Sequence, residues 1–149
     1  MRHRLPDYLR PDLRVVFVGF NPGDRSSRIG HYYAGRGNQF WNLLYESGLV
    51  SRRLAPEEDR CVLGFGVGLT DLVKRWSKSA NDLRPADYRR GVPQLSVKLR
   101  RAGARVVAFN GKLAYEKFVR RQARLGWQQE SLEVLAFSCC PPPADAMGA

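Results

Sequence analysis

Strands alternating with helices along one short chain predict an α/β fold, a three-layer α/β/α sandwich around a central, mainly parallel sheet. Two observations carry that expectation. Residues 13–20 (LRVVFVGF) form a β-branched and aromatic run without polar alternation, the pattern of a strand buried on both faces. Further apolar runs at residues 105–109 and 133–137 are separated from it by stretches whose apolar residues recur at helical spacing.

The elements follow in order. After the first strand, residues 21–38 are rich in Gly, Ser, Pro and Asn, which predicts a long loop. A helix is expected at about residues 39–47, with Phe40, Leu43, Leu44 and Ser47 as its inward face. Residues 61–73 (CVLGFGVGLTDLV) break an apolar run with closely spaced Gly, marking a strand or tight turn rather than a helix. A polar stretch follows through Asp87. Pro93 suits the first turn of a helix, Leu95, Leu99 and Ala102 continue it, and Gly103 stops it. Beyond the strand at 105–109, Gly111 and Lys112 lead into a helix through Arg124, with Ala114, Tyr115 and Phe118 apart from Leu113, Lys117 and Arg121. Residues 133–137 make the last expected strand. Repeats and linkers are absent from the sequence, so residues 1–149 are expected as one domain. Ligands of such sheets bind beyond the carboxyl ends of the strands, which places Asn21, Asp71 and Asn110 near one rim.

Composition narrows the partners. The chain has 149 residues, 44% of them hydrophobic, enough for a genuine core. Its 25 Lys and Arg against 14 Asp and Glu leave a net charge of +11, and the basic residues occur in every third of the sequence. A polyanion is the natural partner, although a solvated basic surface has the same composition. Cys61, Cys139 and Cys140 show neither CxxC spacing nor a pattern of paired bridges, so neither zinc nor a disulfide framework is expected. With no stretch of ~18 apolar residues and no signal-peptide core, the expectation is a cytoplasmic monomer that does not enter membranes.

Four ordered segments carry a resemblance. Gly19-Phe20-Asn21-Pro22-Gly23 follows the buried strand; Asn38-Gln39-Phe40-Trp41 comes next, then Gly68-Leu69-Thr70-Asp71-Leu72-Val73 and Phe109-Asn110-Gly111-Lys112. In this order and spacing they resemble the active-site segments of the mismatch-specific uracil/thymine-DNA glycosylases, within the uracil-DNA glycosylase superfamily. The resemblance spans roughly residues 10–136. It implies a uracil-DNA glycosylase-like fold, double-stranded DNA containing uracil or mismatches as partner, and hydrolysis of the N-glycosidic bond of a flipped uracil or mispaired thymine in base-excision repair. It implies no metal and no cofactor.

Such a reaction needs a water on the far face of the sugar, charge stabilisation on the leaving base, and a pocket for the base outside the stack. By the resemblance, Asn21 positions the water through its amide, which is not a proton acceptor at neutral pH. Pro22 and Gly23 fix the turn, Gly19 lets backbone approach the ligand, and the backbone N–H of Phe20 faces the uracil edge. Tyr33 occupies the family's base-stacking position and Asn38 that of a loop-holding residue; an alternative reading makes Tyr32 and Tyr33 packing residues. His31 is a lone histidine and is read as a loop residue. Asp71, at a strand end, is a candidate general base or a stabiliser of positive charge on the sugar, against a capping or surface role. Ser26, Ser27, Arg28, Lys74, Arg75 and Lys78 are candidate phosphate contacts, and each suits solvated surface equally.

The pattern fails at the end. Where the family carries a loop that wedges into the duplex, this sequence reads Ser138-Cys139-Cys140-Pro141-Pro142-Pro143, so residues 138–149 are expected as an atypical or truncated segment with a frayed tail. A change of reading frame from about Ala136 would account for it. Two other readings therefore stand beside the glycosylase: a catalytically impaired DNA-binding member of the same fold, and an unrelated α/β nucleotide-binding protein. The second lacks a GxGxxG or GxxxxGK[ST] segment.

Overall fold

The computed structural model describes the backbone of residues 1–132 and 135–140, and side chains through residue 128. Strands β1 (Val15–Gly19), β2 (Val67–Asp71), β3 (Val106–Asn110), β4 (Gly126–Leu132) and β5 (Leu135–Cys140) form one sheet in the order β2-β1-β3-β5-β4. β1 lies parallel between β2 and β3, β3 pairs parallel with β5, and only β4 runs antiparallel, against β5. Helices α1 (Asp24–Ile29), α2 (Phe40–Glu46), α3 (Pro85–Ala102) and α4 (Lys112–Val119) connect them.

β1 is buried on both faces, as its uninterrupted apolar sequence requires. Val16 and Val18 enter a core with Leu95 and Leu99 of α3 and Ala114, Tyr115 and Phe118 of α4, while Val15 enters a second core with Phe40, Trp41 and Leu44 of α2. β3 repeats the division: Val107 and Phe109 face the first core, Ala108 the second. The three layers of the expected sandwich are therefore present, with α3 and α4 on one face and α2 on the other.

Several elements differ from expectation for identifiable reasons. The long loop contains α1, a six-residue helix from a Ser- and Asp-containing segment of weak propensity, closed by Gly30 in the left-handed region (φ 82°). In α2, Trp41 is buried and Leu43 faces outward with 54% exposure. Residues Pro56–Phe65 form 3₁₀ turns rather than strand, and Gly66 (φ 77°) releases the chain into β2. α3 starts at Pro85, and Pro93 lies inside it. Pro93 and Gly91 both weaken a helix, yet a Cβ at Gly91 would collide with the carbonyl oxygen of Leu72. Close contact between α3 and the end of β2 thus overrides local propensity. β4 was not anticipated, and the last expected strand, residues 133–137, corresponds to β5, described from Leu135 to Cys140; residues 133–134 and 141–149 lie outside the described part. Among the described residues no helix is long and apolar enough to cross a membrane.

Candidate functional site

β1 leads to β2 on one side and the chain then crosses to β3 on the other, so the direction of winding reverses between the carboxyl ends of β1 and β3. Crevices of this kind are where open α/β sheets bind ligands. Gly19, Asp71 and Asn110 end β1, β2 and β3, and Gly19 is in register with Asp71.

The side chains at these ends converge. A Cβ on Gly19 would fall inside contact distance of Asp71 Oδ1 and lie 3.4 Å from the Tyr33 hydroxyl. Only glycine leaves room there for both groups. Asn110 Nδ2 donates to the Tyr33 hydroxyl at 2.7 Å, and the Tyr33 ring stacks on Phe40 with centroids 3.9 Å apart. Tyr33 itself sits in the left-handed region (φ 50°), uncommon outside glycine. Tyr32 beside it is a packing residue: its hydroxyl donates to the Pro6 carbonyl at 2.8 Å, and burial, followed by the charges of Asp71 and Asp7, holds its pKa far above the ordinary value.

Asn21 is half-buried just beyond β1. Its Nδ2 donates to the Arg75 carbonyl at 3.1 Å and to Ser77 Oγ at 2.7 Å. Ser77 Oγ in turn donates to the Ser79 carbonyl at 2.6 Å, so toward Asn21 it acts as acceptor. Both neighbours of the amide nitrogen are therefore acceptors, which fixes the amide with Oδ1 as its unused end. A carbonyl oxygen held this way accepts a hydrogen bond from a water and cannot also donate one. The loop that orients it is pinned in turn: Arg75 grips Asp87 through two bonds of 3.0 and 2.8 Å, and the Arg2 guanidinium lies 4.2 Å over the Trp76 ring.

Asp71 is neither surface nor cap. It is 5% exposed, and Oδ2 is buried without a hydrogen-bond partner. Burial pushes its pKa up to about 6, partly opposed by the charge of Lys74, reinforced by Asp7 and opposed again by Lys98. A buried carboxyl with an unmet acceptor at a strand end makes Asp71 a candidate for acid–base chemistry.

The remaining residues singled out in the sequence divide. The Phe20 ring packs edge-on against Tyr88 of α3, leaving its backbone at the rim. Pro22 is buried, and Gly23 precedes α1 with open space around its Cα. Asn38 Oδ1 accepts from Phe40 N at 2.9 Å and so starts α2. Ser26 and Ser27 are turned inward, not toward solvent: Ser26 Oγ accepts from Ala34 N, and Ser27 Oγ donates to the Asp24 carbonyl. Lys74 is likewise engaged inside, on Asp7 Oδ1 at 2.8 Å and on the Tyr32 hydroxyl at 3.1 Å. Arg28, Arg75 and Lys78 remain at the surface. His31 has a partner after all, the buried Asp59, whose second oxygen accepts from Tyr32 N.

Sequence reasoning missed Ser77 and Asp59, which look like ordinary loop polar residues. It placed Asn110 at the rim without a role. Among the described residues no group of His, Cys, Asp and Glu side chains is arranged to hold a metal. A groove of about 1370 Å³ lies between α3 and α4, with Tyr88, Arg89, Lys117 and Arg120, but not Asn21, among its lining residues.

Known proteins place this geometry in context. A sequence profile described as the Uracil DNA glycosylase superfamily matches residues 6–147. A solution NMR structure of a protein from Methanosarcina acetivorans, provisionally named a uracil DNA glycosylase, superposes with a TM-score of 0.63 at 21% identity, covering 95% of this chain and 83% of that one. At that identity the likeness bears on the fold.

Proposed function

Since this chain belongs to the uracil DNA glycosylase superfamily, we propose that it excises uracil, with mispaired thymine or related lesions as further substrates, from double-stranded DNA in base-excision repair. Membership leaves no ground for an unrelated nucleotide-binding protein. The observation that carries the enzymatic reading is the amide of Asn21, locked through its nitrogen by Arg75 and Ser77, which leaves its oxygen as the unused end.

In this reading a nucleotide leaves the duplex and its base enters the crevice beyond β1 and β3. Tyr33, half-buried and backed by its stack on the buried Phe40, is the ring on which the base would lie, and stacking contributes roughly 1–3 kcal/mol toward the cost of extrusion. Asn21 Oδ1 accepts a hydrogen bond from a water and aims its oxygen lone pair at the sugar's anomeric carbon. The C1′–N1 bond breaks, its electron pair leaves with the base, and backbone N–H groups near Phe20 face the anionic edge. Asp71, mostly ionised above pH 6, opposes the positive charge developing on the sugar and takes the proton the water releases. Arg28 and Lys78 stand as phosphate contacts, while the Arg75 guanidinium is held by Asp87.

A duplex carrying one G·U pair, incubated with the protein and then treated with alkali, tests this. Strand breaks at the uracil are the expected outcome. Retention on a native gel without breaks would leave a DNA-binding protein instead, the second reading that the atypical residues 138–149 keep in view.

A further inference from the structure

The first residues of the chain put a carboxylate behind the candidate site. Tyr8 exchanges backbone hydrogen bonds with Leu69 in both directions, at 2.9 and 3.0 Å, which fixes this segment against β2. Asp7 is thereby held beside Thr70, the neighbour of Asp71. Its Oδ1 accepts from Thr70 Oγ1 at 2.7 Å and from Lys74 Nζ at 2.8 Å, and its Oδ2 pairs with Lys98 Nζ at 2.6 Å. Burial works against ionisation of Asp7, but the Lys74 charge and the hydrogen bonds from Lys74, Lys98 and Thr70 outweigh it and hold its pKa below the ordinary range.

The consequence concerns Asp71. The described charged or titratable groups that act on it are Lys74, in the loop after β2, Lys98 on α3, Asp7, and the Tyr32 hydroxyl, while the Tyr33 hydroxyl shares the space over Gly19. Both cations are committed to Asp7. Asp71 Oδ2, within their field, has no partner. A carboxylate in a direct ion pair is a weak base and is turned away from a water. We propose that Asp7 is a positioning residue which, by holding the ammonium groups of Lys74 and Lys98, keeps the Asp71 carboxyl free at the end of β2 for the reacting water and sugar. This rests on the reading of Asp71 as the acid–base group of the site.

Titration of the Asp71 carboxyl by ¹³C NMR in the full chain tests the arrangement without requiring turnover. Lys74→Met alone should raise the midpoint by less than about half a pH unit, because the ammonium is engaged elsewhere. Asp7→Asn should lower it by about one unit or more as Lys74 and Lys98 swing to Asp71, and Lys74→Met with Lys98→Met added to Asp7→Asn should abolish that fall. A fall that persists in the triple variant would trace to the lost Asp7 charge alone and overturn the proposal. So would a rise of about a unit from Lys74→Met alone, a measurement that decides the matter even if Asp7→Asn does not fold. Absence of G·U cleavage by the unaltered protein is read separately and speaks against the glycosylase, not against the arrangement of charges.

Discussion

Asn21 Nδ2 donates to Ser77 Oγ across 2.7 Å, and because that hydroxyl is already donating to Ser79, the bond decides which end of the amide stays unused. Ser77→Ala should therefore lower the single-turnover rate on G·U duplexes by about tenfold, the loss of one neutral hydrogen bond, with DNA affinity nearly unchanged. Ser77→Thr keeps the hydroxyl and should restore the rate. Equal rates for all three proteins would remove Ser77 from the site.

Asn21→Ala should abolish most turnover while leaving affinity for duplex DNA close to that of the parent. Asn21→Asp is not a gentler change. A carboxylate in that position meets the Arg75 carbonyl and the Ser77 oxygen with no proton to offer, so a lower melting temperature at pH 8 is expected. A thermal melt of each variant checks the contrast.

For Asp71 the sign of the pH effect follows from its raised pKa. The folded state binds the proton more tightly than the unfolded chain, so the group is harmless below the ordinary value of 3.8 and destabilises the fold as pH rises through about 6. Above that pH the penalty approaches about 3 kcal/mol, an order-of-magnitude figure for a buried carboxyl. Asp71→Asn should accordingly stabilise the protein against urea at pH 7.5, with the gain vanishing near pH 3.5. If cleavage also drops more than about tenfold, the residue acts in the reaction; a smaller drop would leave it as scaffold.

Gly19→Ala introduces a methyl where Asp71 and Tyr33 already meet. A loss of about 1–3 kcal/mol in stability is expected from displacing them, together with a rate loss that Gly23→Ala, in open space, does not share. Denaturation curves for the two variants side by side make the comparison.

Much of this was readable in the sequence, and the parts that were not have a common cause. β1 and β3 are legible because burial on both faces leaves no polar residue in the run, and a strand so buried must sit in the middle of the sheet. Asn21, Asp71 and Asn110 then follow from strand ends. What local pattern cannot show is which long-range partner takes a polar side chain. Ser26, Ser27 and Lys74 read as surface because their residue types usually are, but Ala34, Asp24, Asp7 and Tyr32 turn them inward. Pro93 read as a helix start because a proline inside a helix costs roughly 3 kcal/mol, a preference that packing of α3 on Leu72 overrides.

The left-handed backbone at Tyr33 costs of order 1–3 kcal/mol, and the stack on Phe40 with the bond from Asn110 holds it in place. The resting protein already bears that strain, so the position of the Tyr33 ring is set by the fold itself rather than by anything that binds. Sequence drift in this stretch should therefore appear first as poorer folding, and only afterwards as slower glycosylase turnover.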